Sequence, residues 1–115
     1  MSTNGTFVRS AESGWVKTAE GVRRQVLGHG TDLMIVRFEF ESGAVGKLHH
    51  HPHRQATYVL SGRFQATVGD QHAELGPGDC FYAPSDVPHT VTAMEAGVLI
   101  DVFTPVREDF LVPVD

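Results

Sequence analysis

The sequence predicts an all-β domain, a sandwich or a barrel, with little helix. Three observations carry this. Short apolar or alternating segments recur along the chain, each bounded by glycine, proline or Asx residues. No segment sustains the 3.6-residue period of an amphipathic helix. The chain has 115 residues, enough to bury one modest core. Many short strands at even spacing in so small a chain are best satisfied by sheets that close on themselves.

Residues 1–13 show no periodicity and are expected to form an arm, leaving 14–115 as a single domain. Residues 15–18 and 22–27 read as strands, followed by a Gly28-His29-Gly30 turn in which His29 is a solvated loop residue. Residues 33–41 alternate, with Met34, Val36, Phe38 and Phe40 on one face and Arg37, Glu39 and Glu41 on the other. That is a half-buried strand. Residues 55–60 and 63–68 flank Ser61-Gly62, which reads as a hairpin turn. Gly69-Asp70 turns into residues 71–75, with His72 exposed, and Gly76-Pro77-Gly78-Asp79 turns again. Residues 80–83 form a short strand in which Cys80 is expected to be a small buried residue. A rigid loop from Pro84 to Pro88 precedes a strand that begins at His89 and runs to Ala93. Residues 98–104 form the last strand, Pro105 stops it, and residues 107–110 can make one helical turn.

Composition removes several function classes. The net charge is −5 and the arginines are scattered, so no cationic patch offers itself to nucleic acid. No apolar run approaches a membrane span, and the polar start Ser2-Thr3-Asn4-Gly5 is not a signal peptide. A lone cysteine excludes an internal disulfide and fits a reducing compartment, which points to the cytoplasm.

Four of the seven histidines, His49, His50, His51 and His53, fall within five residues. Imidazole is the commonest neutral ligand of divalent transition metals, and a purification tag would lie at a terminus. Residues i and i+2 of a strand share a face, roughly 6.6 Å apart. From there two histidines can converge on one ion at about 2.1 Å from each nitrogen. Two pairs qualify, His49/His51 and His51/His53. Parity continues from the first pair to Gln55, whose amide oxygen faces the same way, so His49, His51 and Gln55 make the better set. His50 then points away, and His53 lies at the rim. Near the end of the chain, Asp101 shares a strand face with Leu99 and Phe103, opposite Val98, Ile100 and Val102. Two readings stay open: that face meets solvent or an arginine, or Asp101 is a pocket carboxylate with a shifted pKa.

These residues resemble the cupin superfamily. Gly43, His49, His51 and Gly62 match its first motif, G-x5-H-x-H-x3-4-E-x6-G, with Gln55 at the glutamate. Gly78, Pro84 and His89 match the second, G-x5-P-x-G-x2-H-x3-N, with Asp86 for its glycine and Ala93 for its asparagine. The resemblance implies a double-stranded β-helix, the jelly-roll barrel, with one divalent metal held by His49, His51, Gln55 and His89. Nickel, zinc, iron and manganese all suit such a set. Replacing Glu by Gln raises the net charge of the occupied site from +1 to +2, a stronger trap for an anion. The ending, Asp101-Val-Phe103-Thr-Pro-Val-Arg107-Glu-Asp-Phe110, and the segment His49 to Gln55 are similar to the KdgF-type cupins of pectin and alginate degradation. Position 54, often Glu in such segments, is Arg here.

That similarity implies an enzyme that opens the ring of 4,5-unsaturated monouronates to linear 5-keto-4-deoxyuronates. The implied roles are Asp101 in proton transfer, Phe103 as a pocket wall and Arg107 on the substrate carboxylate. The partner is then a small anionic sugar acid. The family also implies a homodimer, with Trp15 available to pack across a partner. An iron-dependent cupin dioxygenase and a non-catalytic cupin that binds metal or a sugar acid are the alternative readings.

Overall fold

The structure is a computed structural model that describes residues 5–111. Its eight strands are β1 (Val16–Ala19), β2 (Val22–His29), β3 (Met34–Phe40), β4 (Val45–His49), β5 (Arg54–Val68), β6 (Gln71–Leu75), β7 (Cys80–Ala83) and β8 (His89–Thr104). Every pairing is antiparallel, and among the described residues the only helical pieces are 3-10 turns at Ser10–Glu12 and Glu108–Phe110. None is long and apolar enough to cross a membrane.

β5 and β8 hold the fold together. They pair along their whole length, from Arg54 opposite Thr104 to Val68 opposite His89. The first half of β5 and the second half of β8 join β7 on one side and β3, β2 and β1 on the other. The remaining halves join β6 and β4. Two sheets thus share two long strands, which is the jelly-roll barrel.

This corrects the expected hairpin at Ser61-Gly62. β5 runs through it unbroken, and the turn signal marks a bulge where pairing with β8 slips at Val59, Ser61 and Arg63. The reason is a close crossing. Gly62 has φ +84°, and a Cβ there would stand 2.6 Å from the Ala96 carbonyl oxygen, while one on Gly97 would overlap the Ser61 carbonyl. Two glycines let the long strands bend together at one point. The strands expected at 89–93 and 98–104 are, for the same reason, one strand of 16 residues.

Alternation directs the core. Val22, Phe40, Val59, Phe64, Ala66, Val91, Ala93 and Leu99 pack as one cluster, and Met34, Val36, Phe103 and Val106 as another. Along β8 the inward residues read Leu99, Asp101, Phe103, so Asp101 sits between the two apolar clusters.

Two further expectations are overturned. Cys80 is exposed, because Ala83, not Cys80, takes the buried position on the short strand β7. His29 is the half-buried last residue of β2, opposite Met34, rather than a solvated turn residue. Of the residues ahead of β1, Ser10 and Ser13 are tied to the sheet. Gln25, 1% exposed, donates from Nε2 to the carbonyls of Ser10 (2.7 Å) and Ser13 (3.1 Å). Trp15 is half-buried with the Arg23 guanidinium 3.9 Å above its ring.

Candidate metal centre and pocket

The histidine stretch is not one continuous strand. β4 ends at His49 and β5 begins at Arg54, with a turn through Pro52 between them. Strand pairing sets His49 directly across from His89, with ring centroids 4.4 Å apart. The turn brings His51 to 5.4 Å from the His49 ring and 4.9 Å from the His89 ring. One ligand atom from each of the three lies within 4.8 Å of the others. Asp86, at φ +61° in the loop before β8, donates its backbone N–H to the His51 carbonyl at 2.7 Å and so docks that loop on the turn. Aspartate tolerates the left-handed region better than most residues, which suits it to the position of the motif's glycine.

The protonation pattern decides what this cluster can hold. Each Nδ1 faces a backbone carbonyl two residues away: His49 that of Lys47 (2.6 Å), His51 that of His53 (2.8 Å), His89 that of Val87 (3.0 Å). A carbonyl only accepts, so Nδ1 carries the proton and Nε2 the lone pair. Gln55 Oε1 lies 3.1 Å from Nε2 of both His51 and His89. The Gln55 amide nitrogen donates to Thr57 Oγ1 at 2.9 Å, and that hydroxyl donates to Asp101 Oδ1 at 2.6 Å. This relay turns the amide oxygen toward the histidines. Acceptors then face acceptors with no hydrogen between them, an arrangement a cation relieves. Imidazole nitrogens and a neutral oxygen are a donor set for a divalent transition metal, and the residues present fit one. Burial holds His89 down at about 4, with His49 and His51 nearby adding to the effect, and burial together with the Arg107 charge lowers His51. Both are neutral at pH 7, as ligation requires.

Asp101 is buried, and loss of solvent raises its pKa to about 7 against the opposing effects of the Thr57 hydrogen bond and the Arg107 charge. Its strand face points inward rather than to solvent, and Asp101 lines a cavity of about 280 Å³. His49, Gln55 and His89 line the same cavity, as do Phe103 and Arg107, and Val22, Phe38, Phe40 and Leu99 supply apolar wall. Arg107 lies beyond β8 with its guanidinium 5.2 Å from the Phe103 ring centroid. It is held bidentately by Asp109, Nε to Oδ1 at 3.0 Å and a terminal nitrogen to Oδ2 at 2.8 Å. Those bonds hold the Asp109 carboxyl below the usual carboxylate range.

His50 is exposed with Nδ1 3.8 Å from Asp86 Oδ1, outside the cluster. His53 is half-buried, and its Nε2 meets the Val106 carbonyl at 3.1 Å, next to Arg107. Two site residues escaped sequence reasoning. Thr57 was detectable by parity, two positions after Gln55 on an inward face. Arg24 was detectable in the same way, between the inward Val22 and Val26 of β2. Its guanidinium lines the cavity 3.9 Å from the Phe110 ring centroid. Its buried Nε has no hydrogen-bond partner, and a buried donor left so costs about 1–3 kcal/mol.

A family model described as Cupin domain matches residues 36–103. The pectin degradation protein KdgF of Dickeya dadantii (strain 3937) is 37% identical over 102 residues, which cover 87% of this chain and 93% of that protein. The structure of KdgF from Halomonas sp. superimposes with a TM-score of 0.87 at 37% identity, covering 93% of this chain and 99% of that one. An RmlC-like cupin from Shewanella frigidimarina NCIMB 400 superimposes with a TM-score of 0.91 at 36% identity, covering 96% and 99%.

Proposed function

Because the chain belongs to the cupin family and is 37% identical to KdgF over most of its length, we propose that it is a metal-dependent enzyme that opens the ring of 4,5-unsaturated monouronates to 5-keto-4-deoxyuronates. The observation that carries the reading is a carboxyl poised near neutral pH, Asp101, beside a three-histidine cluster in a pocket with an arginine.

The reaction is an isomerisation and needs no oxidant. The proton leaves the anomeric hydroxyl, the bond from C1 to the ring oxygen breaks as a C1 carbonyl forms, and C4 gains a proton as C5 becomes a ketone. Asp101, with a pKa of about 7, can hold or release that proton at neutral pH. Thr57, donating to Oδ1, orients the carboxyl. Arg107 binds the substrate carboxylate once Asp109 yields it, and Phe103 walls the ring. His49, His51, Gln55 and His89 would hold a divalent metal, which would supply Lewis-acid stabilisation of developing oxygen charge. The cavity, of about 280 Å³, is near the lower end of ordinary ligand pockets and has room for one sugar ring.

Gln55 in place of a carboxylate disfavours the dioxygenase alternative, whose usual iron site includes one. The test is ultraviolet absorbance of a 4,5-unsaturated monouronate mixed with the protein, before and after chelation, alongside an oxygen electrode. Loss of the conjugated double bond that stops on chelation, with no oxygen consumed, supports the reading. An unchanged spectrum with metal bound overturns it in favour of a binding protein.

The same reading carries a cytoplasmic homodimer. The outer face aligns Ile35, Val102, Ala56 and Tyr82 across four neighbouring strands, with Tyr58 and Ile100 in the next row. Ile35, Tyr58 and Tyr82 are exposed there, a row of apolar groups that a second copy can cover. Sedimentation at micromolar concentration should give a dimer, and a Tyr58→Glu variant a monomer. A wild-type monomer sinks the assignment.

A further inference from the structure

The inward face of β2 is apolar except for one residue. Val22 packs in one core cluster and Val26 against the other, and Arg24 stands between them. Its neighbour Arg23 points outward and is satisfied by Glu39 at 2.6 Å and by the Trp15 ring. Arg24 has the aromatic half of this arrangement, the Phe110 ring, without the carboxylate. Among the described residues it makes no ion pair, and its Nε is buried without a hydrogen bond. A cation carried into an apolar wall unpaired is costly unless something charged comes to it.

What surrounds it shows the sign of that partner. Arg24 and Arg107 both pack on Phe110, with guanidinium carbons 3.9 and 4.2 Å from the ring centroid, and both line the cavity. The nearby carboxylate, Asp109, has both oxygens engaged by Arg107. Two guanidiniums therefore share Asp109, and Asp101, the other carboxyl lining the cavity, has its pKa raised by burial to about 7, so the positive charge at the pocket wall is only partly compensated. Burial lowers the Arg24 pKa, the neighbouring Arg107 charge adds to this, and only Asp109 opposes it. An incoming anion removes the imbalance. A planar guanidinium offers paired donors that match a carboxylate better than a point charge does.

We propose that Arg24 is a substrate-binding residue, and that it forms with Arg107, across the Phe110 ring, a two-arginine clamp for the carboxylate of the sugar acid. The proposal deepens the uronate reading and rests on it for the identity of the acid. It assigns Asp109 a second role, as the internal carboxylate that occupies Arg107 until the substrate arrives.

The test uses the metal-loaded full-length protein and the variants Arg24→Gln, Arg24→Met and Arg24→Lys. Met keeps an unbranched apolar stem without the charge, which guards against a defect caused by the Gln amide, and melting curves check that each is folded. With a 4,5-unsaturated monouronate, KM should rise at least tenfold in Gln and Met while kcat changes less than threefold. Lys should fall between them and the wild type. A KM within twofold of wild type in both uncharged variants overturns the clamp and leaves the ring-opening reading standing. A second arm is calorimetric titration with D-galacturonate and with neutral D-galactose. The clamp requires that the wild type bind the acid more tightly than the neutral sugar and that Arg24→Gln lose this preference. If the wild type turns over no uronate yet shows that preference and the variant loses it, the reaction is wrong and the clamp holds. If the wild type binds neither sugar and turns over nothing, both fail.

Discussion

Asp101 and His89 perturb stability in opposite directions, which makes them separable by pH. Asp101 has a folded pKa of about 7, above its ordinary 3.8, so between those values the folded chain holds a proton that the unfolded chain has lost. Raising pH through that window favours unfolding, at up to about 1.4 kcal/mol per pH unit. His89 has a folded pKa of about 4, below 6.5, so there the unfolded chain holds the extra proton and raising pH favours folding. Between about pH 4 and 6.5 the two slopes nearly cancel in the metal-free protein, with His51 adding a contribution of the same sign as His89. Asp101→Asn removes the falling limb, so its stability should climb with pH across that interval by about 1.4 kcal/mol per unit more than the wild type's. Urea unfolding at three pH values in chelator reads this, and equal slopes would show that Asp101 is not held protonated. The same substitution should abolish turnover of the monouronate while leaving bound metal unchanged by elemental analysis. Loss of metal, or full activity, would remove Asp101 from proton transfer.

At the scale of elements, the long strands β5 and β8 carry the design. They bring Gln55 and Thr57 from one, and His89 and Asp101 from the other, to the same cavity, with Thr57 opposite Asp101 in register. Their shared bend is narrow: a side chain on Gly97 meets the backbone of Ser61 and Gly62, which a rotamer change cannot relieve. Gly97→Ala should therefore destabilise the fold by about 1–3 kcal/mol, the usual cost of overpacking. Chemical denaturation measures it, and an unchanged midpoint would show that the strands can part at the crossing without loss. The misread hairpin belongs to this scale as well. Ser61-Gly62 has turn chemistry because it bends, and local sequence does not distinguish a bend within one strand from a reversal between two.

At the scale of the molecule, the candidate ligands come from β4, the following turn, β5 and β8, so a metal would tie distant parts of the chain together. An ion that binds only the folded state adds about 2.7 kcal/mol at a hundredfold excess over its Kd. At roughly 4 °C per kcal/mol for a domain of this size, chelation should lower the melting temperature by about 10 °C. His89→Ala should lose both the bound metal and that shift. A chelator-insensitive melting point in protein shown to hold metal would mean that the ion is not held by these residues.

The sequence by itself determined where most of the β segments lie, the inward face of residues 34–40 and the histidines of the cluster. Those follow from period-two alternation and from residue chemistry at short range, which any strand must obey. It also singled out Asp101 as an anomaly, a carboxylate within an apolar strand, without deciding what it faces. Only the tertiary structure decided that residues 54–68 form one bent strand, that Cys80 lies outside, and that Thr57 connects Gln55 to Asp101. It alone revealed that Arg24, some 83 positions from Arg107, meets it on one aromatic ring. Such facts depend on which strands pair and in what register. That choice is set by closure of the whole barrel, and no local window of residues contains it.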